Sequence, residues 1–199
     1  MEFPAMPHTI SLTDFIEIVH KTGTARATMA RSLLERDDYQ PYQDYYKQLR
    51  ERIVETHHNN NSKSYLKNIL TSTPDFKQDN YKTITDKYCS WWGYKDLAWF
   101  NPPKGKYTYG KITVSINPEL GLTFNNTNHV IKLYFKATKL SKQKADLALG
   151  LMEMSLNQSN VKLCILDIQS KKLFIPTINI PSLKQAVDGE LSYLSVFVS

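Results

Sequence analysis

Between Lys111 and Lys136 the chain reads KITVSINPELGLTFNNTNHVIKLYFK, and this stretch limits the fold more than any other. Ile112, Val114 and Ile116 alternate with Thr113, Ser115 and Asn117. That period of two gives a strand one apolar and one polar face. Pro118 has no N–H to offer a ladder, so regular pairing is expected to break or bulge there. Leu120, Leu122 and Phe124 resume the alternation, and Asn125-Asn126-Thr127-Asn128 is a turn cluster, because Asn tolerates positive φ and bonds its own backbone. The return strand is expected over His129 to Lys136, with Ile131, Leu133 and Phe135 on one face and Val130, Lys132, Tyr134 and Lys136 on the other.

Lysines continue beyond this strand as Lys139, Lys142 and Lys144, before the acid Asp146. Two readings fit them. Lys132, Lys136, Lys139, Lys142 and Lys144 are either a solvated edge that guards against strand pairing or a phosphate-facing patch with Tyr134 as a stacking group. The charge distribution bears on the choice. Residues 1–104 carry 14 Lys/Arg against 13 Asp/Glu, and residues 105–199 carry 11 against 6, so most of the net +6 lies in the half that holds the hairpin. A charge of this size permits a DNA, RNA or acidic protein partner without requiring one.

The rest of the 199 residues reads as helix followed by mixed structure. Residues 1–10 are expected to be a flexible leader, residues 11–104 a helical region, and residues 105–199 a core packed with it as one unit. Ser11 with Asp14 is a helix start, and Leu12, Phe15, Ile16 and Val19 form one apolar stripe. A second helix is expected over Ala25–Arg36. With Thr22-Gly23-Thr24 between them the pair has helix–turn–helix spacing, which two ordinary packed helices share. Asp37 or Asp38 before Pro41 suits the start of a third helix. His57-His58 reads as a solvated helix end, because nothing beside it completes a metal-ligand set. A short helix near 63–70 and a longer one from Phe76 to Trp92 follow, and Trp91, Trp92, Tyr94, Trp99 and Phe100 are expected to join helices to sheet. Past the hairpin come a largely buried helix from Ser141, a strand in VKLCILDI, a turn, a strand at Leu173–Ile175 and a last helix from Pro181. The expected class is α+β, or α/β, with a β-β-α-β-β-α core and a small sheet. Cys89 and Cys164 lie in no ligand-spaced motif and read as buried thiols. With no apolar run near ~20 residues and no signal-like N-terminus, the expected location is cytoplasmic and no membrane partner is implied.

Asn117-Pro118-Glu119-Leu120-Gly121-Leu122, Val130–Lys136, Leu166-Asp167-Ile168 and Lys172-Leu173-Phe174 together resemble an uncharacterised family of bacterial proteins of similar length. That resemblance implies a bacterial cytoplasmic origin and no activity. A weaker topological resemblance is to the PD-(D/E)xK nuclease fold, whose chemistry needs two carboxylates on Mg²⁺ and a lysine near the attacking water. It implies Glu119 as the first acid, Lys132 as the lysine and Asp167 as a substitute second acid, since Val130 stands in the usual place. Mg²⁺ is the only cofactor implied, and only on this reading. The plainer reading gives Asp167 to the N–H groups of its own turn. The sequence therefore ranks a nucleic-acid-binding or accessory protein beside a protein-interaction module, and both above a divergent nuclease.

Overall fold

A computed structural model describes residues 8–35, 44–177 and 180–198. Through them the chain runs β1 (His8–Ser11), α1 (Leu12–His20), α2 (Gly23–Leu34), α3 (Lys47–His58), α4 (Lys63–Lys67), a 3-10 turn (Asn68–Ser72) and α5 (Asp75–Trp92). It continues through β2 (Ala98–Phe100), β3 (Gly105–Tyr109), β4 (Ile112–Ile116), β5 (Leu120–Phe124), β6 (Thr127–Tyr134), α6 (Lys142–Leu156), β7 (Lys162–Asp167), β8 (Lys172–Phe174) and α7 (Ile180–Ser195). The class is α+β. The helix start expected around Asp37, Asp38 and Pro41 lies outside the described residues.

The β5–β6 hairpin turns on Asn125 and Asn126, whose φ angles of 50° and 56° are the left-handed values that Asn accepts. Pairing runs from Phe124↔Thr127 to Leu120↔Ile131. Pro118 does break the ladder, and with a larger consequence than a bulge, because the strands on its two sides belong to different sheets. One sheet has the order β1-β4-β3 and the other β2-β5-β6-β7-β8.

Three expectations are corrected here. The leader ends in a strand, because His8–Ser11 pairs parallel with Ile112–Ser115. Ala98–Phe100, expected as helical region and loop, pairs antiparallel with Thr123–Gly121. From Gly105 onward the order is β-β-β-β-α-β-β-α, because the break at Pro118 makes two strands, β4 and β5, of the first arm of the hairpin and Gly105–Tyr109 adds an edge strand on β4. Among its five residues only Tyr107 and Tyr109 are large and apolar, which leaves too little alternation to reveal a strand.

α6 packs on β3 and β4 of the smaller sheet and on β7 of the larger. This explains why Ala145, Ala148, Leu149, Leu151 and Met152 are all buried, on more than one face. One core joins these residues to Phe15 and Ile16 of α1, to Ile112, Val114 and Ile116, and to Val130, Leu163 and Ile165. On the opposite face of the larger sheet a second core packs Ile131, Leu133, Cys164 and Leu166 under Leu49, Ile53, Tyr81, Ile84 and Tyr88. β6 is thus covered on both faces, as strands beside a parallel crossover usually are. Trp91 makes the expected helix–sheet joint by setting its edge against Phe124 at 6.3 Å between ring centroids, whereas Tyr94 is fully exposed.

β2 approaches β5 so closely that only glycine fits at 121. A Cβ there would lie 2.2 Å from the carbonyl oxygen of Phe100. Gly121→Ala is therefore expected to destabilise by about 1–3 kcal/mol, the usual cost of forcing a packed backbone apart. A urea midpoint unchanged by this substitution would show that β2 is not held against β5.

Candidate functional site

The register of the hairpin places Glu119 across from Lys132, one step beyond the Leu120↔Ile131 pair. The Glu119 N–H still donates to the Ile131 carbonyl at 3.1 Å. Beyond it the chain turns away at Pro118, and the Leu133 N–H is met by a side chain. Glu119 Oε2 takes that N–H at 2.8 Å while Oε1 accepts from Lys132 Nζ. The carboxylate thus ends the ladder and neutralises the lysine, and the two side chains keep 8% and 9% exposure.

Two members of the expected lysine patch are therefore not on the surface. Lys132 is buried in this ion pair, and Tyr134 is 1% exposed, its hydroxyl donating to Glu17 Oε1 at 3.2 Å. Burial first, then the charge of Glu17, pushes that hydroxyl well above its usual pKa. The physical reasons differ: Tyr134 shares a core with α1 and α6, and Lys132 is held by Glu119, both on the face that alternation alone assigns to solvent. Lys142 is drawn to Asp146 and to the Ile175 carbonyl, 2.7 Å away. Lys144 donates to the His20 carbonyl at 2.9 Å. Burial and the Lys144 charge together lower the His20 pKa. Lys139 is exposed, and Lys136 is 45% exposed with Glu17 at 3.6 Å.

Asp167 ends β7 fully buried, accepting from Gln169 N at 3.0 Å, Ser170 N at 3.3 Å, Ser170 Oγ at 2.8 Å and Leu140 N at 3.3 Å. Both its oxygens are committed to the turn and the approach to α6, and it shares no hydrogen-bond partner with Glu119. Among the described residues no group of three or more His, Cys, Asp or Glu side chains is placed to hold a metal ion. The donor set that the nuclease resemblance implies does not fit Mg²⁺: Glu119 is paired with the lysine, and Asp167 with backbone N–H groups and the Ser170 hydroxyl.

The Glu119–Lys132 pair borders a cleft of about 1290 Å³, lined among the described residues by β1, the start of α1, the end of α2, α3, Trp99–Lys104 and the end of β6. The volume exceeds the roughly 300–1,000 Å³ of small-molecule pockets. Its walls hold two groups of rings. Tyr46 lies on Phe135 at 5.2 Å and 15° between planes, with the edge of Tyr45 against Tyr46 at 4.8 Å. Trp99 meets His58 edge-on at 5.7 Å. Tyr45, Tyr46 and Trp99 are only half-buried. Cations share the same walls: Lys104 and Lys136 are exposed, and Arg50 is paired with Asp44 at 2.6 Å.

No stretch of the sequence announces this cleft. Its rings come from positions 45, 46, 99 and 135, and no local motif joins them. The Glu119–Lys132 pair did have a signal, because counting outward from the Asn125-Asn126 turn sets the two opposite each other. The His57-His58 reading also divides in the structure: His58 is exposed, but His57 is buried with Nε2 at 2.7 Å from the Tyr88 hydroxyl.

No family model, curated protein or solved structure matches the chain. Among the described residues no helix is long and apolar enough to cross a membrane.

Proposed function

We propose that the protein binds nucleic acid, and that the interface is the cleft beside Glu119 and Lys132 rather than the ridge from Lys132 to Lys144. One observation carries this reading: half-buried rings and exposed lysines line the same wide concavity, the pairing of stacking groups with phosphate neutralisers that nucleic-acid grooves use. The ridge offers less, since Lys132 and Tyr134 are buried and Lys142 and Lys144 are bonded to carbonyls. A protein-interaction role has weaker support, because the exposed Phe76 and Tyr94 lie at opposite ends of α5, a helix of 18 residues and so about 27 Å long.

Fluorescence anisotropy with labelled oligonucleotides, paired and unpaired, tests the proposal. Binding at low salt is expected, with log K falling linearly against log salt. Lys104→Glu with Lys136→Glu should weaken it on the order of tenfold or more by removing phosphate contacts. Lys139→Glu should leave it intact, whereas a loss there would return the site to the ridge. No binding to any oligonucleotide at low salt overturns the proposal.

A further inference from the structure

We infer that the cleft takes its nucleic acid as a single strand, DNA or RNA, with unpaired bases stacked on Trp99 and on the Tyr45–Tyr46 pair, which the buried Phe135 backs; this inference rests on the nucleic-acid reading above. A duplex keeps its base faces stacked inside and offers phosphates and groove edges to a protein. Rings that wait inside a concavity are useful only to bases free to leave a stack. Here the rings lie within the cleft walls, where a duplex would bring phosphates against them.

The two ring groups stand on separate elements. Tyr45 and Tyr46 precede α3; Tyr46 leans on Phe135, just past the end of β6, and Tyr45 on Tyr46. Trp99 is on the edge strand β2, steadied by His58 at the end of α3. α3 therefore runs between them, with Tyr46 at its N-cap and His58 as its last residue, about 18 Å of helix. That span suits a chain of several nucleotides and is too long for one base, in keeping with a volume of about 1290 Å³. Lys136 and Lys104 stand beside the two groups, next to Phe135 in one case and on the segment after β2 in the other. An unpaired strand lying along α3 would meet rings and a cation at each end.

The test compares one sequence as single-stranded DNA, single-stranded RNA and duplex DNA, by anisotropy and by quenching of intrinsic tryptophan fluorescence. A single strand is expected to bind at least about tenfold more tightly than the duplex and to quench. Trp99→Ala should weaken single-strand binding by roughly fivefold to a hundredfold, the range for loss of one stacked base. Trp99→Phe should restore most of the affinity while abolishing the part of the quench that comes from Trp99. A thermal melt of each variant guards against misfolding, and if Trp99→Ala does not fold, Trp99→Phe and the wild-type quench decide. The DNA and RNA arms identify which strand is preferred, and tight single-strand binding in either supports the inference. Duplex binding equal to or tighter than both single strands, or single-strand binding without a quench, overturns the inference and leaves the nucleic-acid proposal standing. Binding to none of the three overturns both.

Discussion

Removing the Glu119 carboxylate, as Glu119→Ala, is expected to cost about 3–5 kcal/mol of stability. The substitution strands two groups at once: Lys132, whose side chain is 9% exposed, and the N–H of Leu133. The Glu119 carboxylate is the partner that the structure gives to both. An ion pair on an open surface would contribute only about 0–1 kcal/mol, so the size of the loss reports burial. Lys132→Met should cost less than Glu119→Ala, because the carboxylate left behind retains the Leu133 N–H and borders the cleft. The double change Glu119→Leu with Lys132→Met should recover part of the loss, since apolar groups of similar volume avoid desolvating charge. A double-mutant cycle in urea separates the pair from its surroundings. If Glu119→Ala shifts stability by less than about 1 kcal/mol, the pair is solvated through the cleft and does not hold the ladder end.

The second large effect depends on pH. Burial lowers the His57 pKa from 6.5 to about 4, and the ring is 3% exposed between Tyr88 and Trp92. Above pH 6.5 the ring is neutral in both states and costs nothing. As pH falls from 6.5 towards 4, the unfolded chain takes up a proton that the folded chain refuses, so stability declines through this window and this group takes no more below it. The loss approaches about 3 kcal/mol at pH 4 for a shift of this size. Burial also lowers the pKa of His20 and His129, and these act in the same direction. Urea midpoints measured from pH 7.5 to 4 should therefore fall, and His57→Gln should flatten the profile while keeping a polar partner for the Tyr88 hydroxyl. Parallel profiles for the two proteins would place the acid sensitivity elsewhere.

What could be read from the sequence was local. The hairpin needed only alternation and two asparagines. The Ser11–Asp14 capping box is present as spaced, with Ser11 Oγ accepting from Asp14 N at 3.0 Å. Asp167 binds its own turn, as an acid between a strand and a polar turn would. The cleft had no such local cue, because it assembles from residues that meet only after the larger sheet and α3 are in place. Lys132 and Tyr134 were misplaced for a related reason. Alternation separates two faces but does not say what covers the second: α1 and α6 share a core with Tyr134, and Glu119 takes up Lys132. β1 was hidden because its pairing is with a strand far along the chain, and four residues of HTIS carry little periodicity.

The parallel pairing of β1 also has a consequence in time. His8 meets Ile112, 104 residues further along, and α1 follows β1 directly, with Phe15 and Ile16 packed into a core that includes residues of α6. During synthesis at about 5–20 residues per second, the partner strand emerges on the order of 5–20 s after β1 does. Closing so long a loop also places this contact among the slow, non-local steps of refolding. For that interval Ile10, Leu12, Phe15 and Ile16 have neither β4 nor α6 to pack against, so the newborn chain carries this apolar segment uncovered, and chaperones would be expected to shield it.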